Sequence, residues 1–180
     1  MYQPAEDSYL LQEYVKEYAF GRVLDMGTGS GIQALTALKR TNVKEVVAVD
    51  IDEEAVRRLQ QGIKEQRLRK IKVIKSDLFD RVEGHFNLII FNPPYLPKDD
   101  VDKEFSLTLS GGKKGNEIIE RFLKEAKKHL NENGKILIVF SNLTGKEKVD
   151  NIIKKNGFKF QQIDYQKLEM FEELYVYEVY

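Results

Sequence analysis

A glycine-rich turn with an acid in front of it is the first feature of the sequence that suggests chemistry. Asp25 is followed by Gly27, Gly29 and Gly31, at the point where an apolar strand-like run passes into a helix-like segment. Glycines let the backbone approach a ligand closely, because no side chain stands in the way. A dinucleotide fingerprint G-x-G-x-x-G needs a small residue where Ile32 stands. The carboxylate would repel a pyrophosphate and suits a cationic amino group, so the pattern favours S-adenosylmethionine (AdoMet). The simpler alternative is a tight turn in which Asp25 accepts backbone hydrogen bonds.

Two further acids follow the next two predicted strands. Asp50 closes the second strand, at a position from which a carboxylate can hold both ribose hydroxyls of a nucleoside. Asp77 follows the third strand, where it could accept from an adenine amino group while Leu78 packs on the ring. Asp52 is better explained as the cap of the helix that begins at Glu53. Asp77 alone is as easily a turn aspartate, but acids at three successive strand ends point to one nucleoside site.

A second motif, Asn92-Pro93-Pro94-Tyr95, directly follows the apolar strand that ends at Phe91. Two consecutive prolines remove two backbone donors and hold the chain extended, which leaves carbonyl oxygens free to accept. An asparagine oxygen beside a proline carbonyl makes a pair of acceptors for one NH2 group, and Tyr95 offers a flat face for a planar amide or base. Holding both N–H bonds would aim the nitrogen lone pair at a sulfonium methyl group, by positioning and fixed dipoles without a strong base. The alternative is a proline-rich strand end with a core tyrosine.

Strand-length apolar runs alternate with helix-period segments along almost the whole chain. This order predicts repeated β-α-β units and therefore a parallel sheet with helices on both faces. Two adjacent strand-like segments near the end predict a hairpin, so one terminal strand is expected to be antiparallel. The predicted fold is α/β and Rossmann-like, with a mostly parallel twisted sheet of about seven strands. The predicted helices are 4–18, 31–40, 53–66, 116–130 and 146–156, and the predicted strands are 22–26, 45–50, 71–75, 86–91, 135–140, 158–165 and 174–180.

Length, charge and composition exclude several classes of protein. The 180 residues fit one domain, and we expect residues 1–180 to form it. Lys plus Arg and Asp plus Glu total 29 each, so a net charge of zero gives no long-range attraction to nucleic acid. With no cysteine and only His85 and His129, neither a disulfide nor a metal site is expected. The chain shows no apolar signal segment and no apolar run of membrane-spanning length, so we expect a cytoplasmic protein that does not bind membranes.

The glycine-rich turn together with N-P-P-Y resembles the class I AdoMet-dependent methyltransferases that act on planar NH2 groups. Residues 2–8, Y-Q-P-A-E-D-S, resemble the opening Y-x-P-A-E-D-[ST] of the HemK-like release-factor glutamine methyltransferases of archaea and eukaryotes. Gly111, Gly112 and Gly115, leading to Phe122, resemble that subfamily's glycine stretch. The resemblance covers essentially the whole chain. It implies the class I methyltransferase fold, with AdoMet as methyl donor, S-adenosylhomocysteine as product and no metal.

The resemblance also assigns roles and partners. It implies that Asn92, Pro93, Pro94 and Tyr95 hold the substrate glutamine, in the Gly-Gly-Gln motif of a class I translation release factor. It implies a heterodimer with a small zinc-binding activator protein, and a chain without the helical N-terminal domain of bacterial HemK proteins. The sequence departs from many relatives at Leu109-Ser110, where they carry a tryptophan, and in its highly charged loop 97–109. The predicted cofactor-binding residues are Ser8, Asp25, Gly27, Gly29, Gly31, Asp50, Asp77, Leu78 and Asn92.

Two other functions fit parts of the pattern. An adenine amino-methyltransferase acting on DNA or RNA would use N-P-P-Y equally well, because an adenine NH2 group is also planar. The zero net charge and the lack of a target-recognition domain within 180 residues count against it, and the basic cluster at 67–75 is typical of a solvated face. A non-catalytic AdoMet-binding scaffold would have no chemical need for N-P-P-Y.

Overall fold

Seven strands and five helices occur in the part of the chain that the computed structural model describes, residues 3–94 and 116–180. The strands are β1 Gly21–Met26, β2 Val43–Asp50, β3 Ile71–Lys75, β4 Phe86–Phe91, β5 Leu130–Ser141, β6 Phe160–Lys167 and β7 Glu173–Val179. The helices are α1 Glu6–Tyr18, α2 Ile32–Leu38, α3 Glu53–Glu65, α4 Glu117–Ala126 and α5 Lys146–Lys155. Single 3-10 turns lie at Lys127–His129, Asn142–Thr144 and Glu169–Phe171.

The seven strands form one sheet in the order β3-β2-β1-β4-β5-β7-β6. Neighbouring strands from β3 to β5 are parallel, and β7 runs antiparallel to both β5 and β6. In the centre of the sheet, Met26 at the end of β1 is level with Val49 of β2 and Phe91 of β4. The carboxyl ends of these strands therefore meet at one edge, and the predicted mostly parallel sheet with a terminal hairpin is confirmed.

Helices cover both faces of the sheet. Residues that follow one another in a strand point to opposite faces, and in the central strands both sets are buried. Val23 belongs to the cluster packed under α1, α2 and α3, whereas Leu24 belongs to the cluster packed under α4 and α5. The first cluster takes from its helices Leu11, Val15, Ala34, Ala37 and Leu59. The second takes from its helices Ile119, Phe122, Leu123, Val149 and Ile153. The site residues are thus carried by strands that are held on both sides.

Two neighbouring boundaries differ from their sequence predictions by several residues. The helix predicted over 116–130 ends as α4 at Ala126, and β5 begins at Leu130 and not at residue 135. Residues 131–134, at the start of β5, are polar or glycine, so this part of the strand shows no alternation of apolar and polar residues. A register shift of β5 against β4 accommodates it, with Asn133 at a φ of 60°. A Cβ atom at Gly134 would lie 2.8 Å from the backbone oxygen of Phe86, so the close approach requires glycine. The other predicted bounds agree to within two residues.

Candidate active site

A cleft of about 500 Å³ opens at the carboxyl ends of β1 to β4 and is closed on one side by the first turn of α1. This volume lies within the range of small-molecule sites, roughly 300–1,000 Å³. Of the predicted residues, Gly31 is not among those that line the cleft, and Tyr95 lies outside the described residues. The predicted residues that the structure brings together in the cleft are Ser8, Asp25, Gly27, Gly29, Asp50, Asp77, Leu78, Asn92, Pro93 and Pro94.

The glycines of the first turn do different things. Gly27, Gly29 and Gly31 have φ values of 67°, 50° and 83°, in the left-handed region that side chains with a Cβ avoid. Around Gly27 and Gly29 no atom would lie closer than 3.9 Å to an added Cβ, so the turn conformation and the open cleft account for them. At Gly31 a Cβ would lie 2.6 Å from Cδ1 of Leu59. Gly31 therefore allows the Leu59 side chain of α3 to lie against the start of α2.

Asp25 is a buried carboxylate one residue before the end of β1. Its Oδ2 accepts from the Thr28 hydroxyl at 2.6 Å and from the Ala34 backbone N–H at 3.0 Å. Burial, with a smaller contribution from the nearby charge of Asp50, raises the pKa of Asp25 to about 7, although the two hydrogen bonds oppose the shift. A cationic group in the cleft would favour the ionised carboxylate and lower this pKa again.

Asp50 ties the end of β2 to the glycine turn. Its Oδ2 accepts from the Gly29 backbone N–H at 2.8 Å, and its Oδ1 accepts from the Asp52 backbone N–H at 2.9 Å. Each carboxylate oxygen has a second lone pair, so the side chain can still accept from two ligand hydroxyls. Asp52 accepts from the Glu54 backbone N–H at 2.8 Å, which confirms that it caps α3.

Asp77, after β3, is held by a residue that the sequence analysis did not predict for the site. Nη2 of Arg121, on α4, lies 2.9 Å from Oδ2 of Asp77, and both side chains are partly exposed. Arg121, Ile118 and Leu78 line the same part of the cleft. The second oxygen of Asp77 leaves an acceptor beside the apolar surface of Leu78 and Ile118, which is the composition that an adenine ring needs.

Asn92 presents the most unusual atom of the site. Its Nδ2 donates to the Ser8 hydroxyl at 3.3 Å. Its Oδ1 is buried and has no hydrogen-bond partner in the described part of the chain. Pro93 and Pro94 follow it in the wall of the cleft. A buried carbonyl oxygen without a donor is costly, about 1–3 kcal/mol, and such an atom in a cleft indicates where a ligand donor is expected.

Gln33 is a second side-chain amide in the cleft and, unlike Asn92, was not predicted from the sequence. It stands in the first turn of α2, is only 3% exposed and lines the cleft. Its Nε2 donates to the Ser8 backbone oxygen at 2.8 Å, while its Oε1 is buried without a partner among residues 3–94 and 116–180. The sequence signal that could have found it is a polar residue in the first turn of the otherwise mostly apolar helix α2, just after the glycine turn.

The acceptors in this cleft fit AdoMet. Its ammonium, ribose hydroxyls and adenine amino group are all donors, and its sulfonium adds a second positive charge. Carboxylates at three strand ends and the amide oxygen of Gln33 supply the matching acceptors. No group of three or more metal-binding side chains is found within the described residues, and no helix in the same ranges has the length and apolarity to cross a bilayer.

Sequence comparison decides the family. Residues 5–167 match the methyltransferase small domain. The chain belongs to this family. A Methanocaldococcus jannaschii protein whose name proposes protein N5-glutamine methyltransferase activity is 37% identical over 179 residues, which are 98% of this chain and 89% of that protein. The release factor glutamine methyltransferase of Borreliella burgdorferi is 33% identical over 152 residues, and the match covers 80% of this chain. That match spans 52% of the bacterial protein, so the chain corresponds to about half of it.

Comparison of structures gives the same fold. A chain of the E. cuniculi Mtq2-Trm112 complex, which is responsible for methylation of the eRF1 translation termination factor, superposes with a TM-score of 0.74. The superposition covers 99% of this chain and 96% of that chain at 23% sequence identity. The class I methyltransferase fold expected from the sequence is thereby confirmed.

Proposed function

We propose that the protein transfers a methyl group from AdoMet to the side-chain amide nitrogen of a protein glutamine. The observation that carries this proposal is the buried Oδ1 of Asn92 in a cleft whose other acceptors suit AdoMet. The glutamine nitrogen has two N–H bonds and no charge, so it can satisfy this oxygen at little desolvation cost. The names of the M. jannaschii and B. burgdorferi relatives support a glutamine as the acceptor.

When bound, AdoMet supplies an electrophilic methyl group on its sulfonium. The task of the protein is to raise the reactivity of an amide nitrogen, whose lone pair is delocalised into the carbonyl group. Asn92 Oδ1 accepts one N–H bond of that nitrogen, and we expect a neighbouring proline carbonyl to accept the other. This grip favours a tetrahedral nitrogen with its lone pair directed at the methyl group. A C–N bond then forms as the S–CH3 bond breaks, and the nitrogen releases one proton to water, so no strong base is needed.

The acids of the other strands would hold the cofactor. Asp50 has two lone pairs left for the ribose hydroxyls after its bonds to Gly29 and Asp52. The buried Asp25 carboxylate would be stabilised by a positively charged partner. This favours a ligand with a cationic amino group, such as the amino-acid portion of AdoMet. Asp77 and Leu78 would receive the adenine.

We further propose that the substrate is the Gly-Gly-Gln motif of a class I translation release factor. The B. burgdorferi relative is named for this reaction, and the E. cuniculi complex methylates a termination factor. That complex also contains a second protein, Trm112. We therefore propose a small partner protein for this chain as well, and its binding of zinc is a further part of the proposal.

Methyl transfer from labelled AdoMet tests the function directly. The acceptors are a release-factor domain with its Gly-Gly-Gln motif, the same domain with that glutamine replaced by glutamate, and DNA and RNA oligonucleotides rich in adenine. Each acceptor is tested with and without the organism's small zinc-binding partner, and peptide mass spectrometry locates the added methyl group. We expect label on the glutamine of the first acceptor alone. Label in the oligonucleotides, or equal label in the glutamate variant, would contradict the proposal.

A further inference from the structure

Ser8 accepts a hydrogen bond from each of the two buried side-chain amides of the cleft, Gln33 and Asn92. Its backbone oxygen accepts from Nε2 of Gln33, and its hydroxyl accepts from Nδ2 of Asn92. Both amides therefore turn their nitrogen toward Ser8, and their oxygens stay buried without a hydrogen-bond partner among the described residues. Both residues line the cleft. Ser8 itself is 2% exposed, at the start of α1, and is 84 residues from Asn92 in sequence.

The direction of the bond between the Ser8 hydroxyl and Asn92 is fixed by Asp7, the residue before Ser8. The Ser8 hydroxyl donates to Oδ1 of Asp7 at 3.1 Å. A carboxylate can only accept, so the single hydroxyl hydrogen of Ser8 is committed to Asp7, and its lone pairs face Asn92. If the Asn92 amide turned over, its oxygen would meet those lone pairs and its nitrogen would enter the cleft.

We propose that Ser8 is a positioning residue that sets the amide orientation of Asn92. The chain from the Asp7 carboxylate through the Ser8 hydroxyl to Asn92 Nδ2 keeps Oδ1 directed at the acceptor site. Gln33 supports this arrangement by holding the backbone oxygen of Ser8. The inference rests on the proposed function, in which Asn92 Oδ1 accepts from the substrate amide. It gives Ser8 a part in the reaction in addition to its predicted place in the cofactor site.

The size of the effect follows from the loss of one hydrogen bond. Without the hydroxyl, Nδ2 has no acceptor in its present position, and turning the Asn92 amide over brings it to acceptors in the cleft. The non-productive orientation is then favoured by about one hydrogen bond, so only a minor fraction of the enzyme stays productive. We expect kcat of Ser8→Ala to fall roughly five- to tenfold, the equivalent of about one hydrogen bond. The KM for the protein substrate should change less than twofold. Ser8→Thr keeps the hydroxyl and should restore kcat to within about twofold of the starting protein.

A double-mutant cycle with Asn92→Asp separates orientation from general damage. A carboxylate has two equivalent oxygens, so it has no amide end for Ser8 to select. In the Asn92→Asp background, removing the Ser8 hydroxyl should therefore lower kcat less than twofold. An equal five- to tenfold loss in both backgrounds would mean that Ser8 acts through the cofactor or through stability, and would overturn the inference.

Side-chain NMR of the free protein gives a readout that does not need activity. The Nδ2 protons of Asn92 should exchange with solvent more slowly in the starting protein than in Ser8→Ala, because one of them is bonded to Ser8. Unchanged exchange in Ser8→Ala would overturn the inference even if the double variant is too slow to assay. If no glutamine is methylated by the starting protein, the proposed function fails, while the exchange data still decide whether Ser8 orients Asn92.

Thr36→Val is the matched control. Gln12 of α1 donates to the Thr36 hydroxyl of α2 at 2.8 Å, outside the residues that line the cleft. This variant loosens the same pair of helices without touching Ser8. Its kcat and its Asn92 amide exchange should stay at the levels of the starting protein, and a loss as large as that of Ser8→Ala would assign the effect to helix packing.

Discussion

The hydrogen-bond acceptors at the two ends of the cleft differ in whether the protein itself supplies them with donors. At the ends of β1, β2 and β3, each acid already accepts from the protein: Asp25 from Thr28 and Ala34, Asp50 from Gly29 and Asp52, and Asp77 from Arg121. At the end of β4, the Asn92 oxygen accepts from none of the described residues. The acids are therefore fixed before a ligand arrives and keep lone pairs to spare, whereas the amide oxygen becomes satisfied when a donor enters. The first arrangement suits stable cofactor binding, and the second suits an interaction that gains strength along the reaction.

The largest effect should come from Asn92→Ala. Removing one preorganised polar contact at a reacting centre typically lowers the rate by about 10²–10³, and we expect a loss of that size in single-turnover methyl transfer. The affinity for AdoMet, measured by calorimetric titration, should fall only modestly. Asn92→Asp keeps an acceptor oxygen but adds a negative charge beside the sulfonium, so its rate should lie between those of Asn92→Ala and the starting protein. If Asn92→Ala transferred methyl groups as fast as the unsubstituted protein, the Asn92 oxygen would have no part in turnover, and the contrast with the three acids would not hold.

Asp50→Ala should act on binding instead of turnover. Hydrogen bonds to a charged group contribute on the order of 1–3 kcal/mol, so the Kd for AdoMet should rise by roughly 5- to 150-fold. Asp50→Asn is the matched variant, because it keeps one acceptor oxygen for the Gly29 N–H and should bind with intermediate affinity. Saturating AdoMet should restore most of the single-turnover rate in both. An unchanged calorimetric Kd would exclude Asp50 from the cofactor site.

The pKa of Asp25 predicts how the stability of the free protein depends on pH. Since burial raises this pKa from 3.8 to about 7, the folded protein binds the proton more tightly than the unfolded chain. The stabilisation from protonated Asp25 is complete below about pH 4 and is lost as the pH rises through about 7. Denaturant unfolding at pH 5 and pH 8 should show this fall, and Asp25→Asn should reduce it. Identical pH dependence in the two proteins would show that the carboxyl group is not buried as described.

Arg121→Ala should have the smallest effect. Its ion pair with Asp77 is solvated on both sides, and such pairs contribute about 0–1 kcal/mol. The Kd for AdoMet should change by less than about fivefold, and the change should shrink at high salt. A loss as large as that of Asp50→Ala would mean that Arg121 contacts the ligand itself.

The sequence predicts best what is local. The ends of β1 to β4, the acids at or near three of those ends and the cap at Asp52 all depend on neighbours within a few residues, and the structure has them where the pattern indicates. Polar residues 131–134 mislead because their strand pairing depends on a register shift against β4.

Contacts between distant parts of the chain were beyond local patterns. Arg121 is 44 residues from Asp77, and Ser8 is 84 residues from Asn92, so no spacing rule connects either pair. Gln33 was missed for another reason. Its polarity in an apolar helix is visible, but only the fold shows that it faces the cleft and not solvent.

The position of β7 has a consequence for how the protein is made. β7 stands between β5 and β6 although it follows both in the chain, and Val179 pairs with Ile136 on one side and Phe160 on the other. A ribosome delivers the chain from its amino end, so β5 and β6 emerge before the strand that separates them. Until β7 arrives, β6 has no neighbour in the sheet, and β5, next to the strand that carries Asn92, keeps an open edge. Such edges pair with other chains, so the nascent protein is most prone to aggregation just before its last strand is complete.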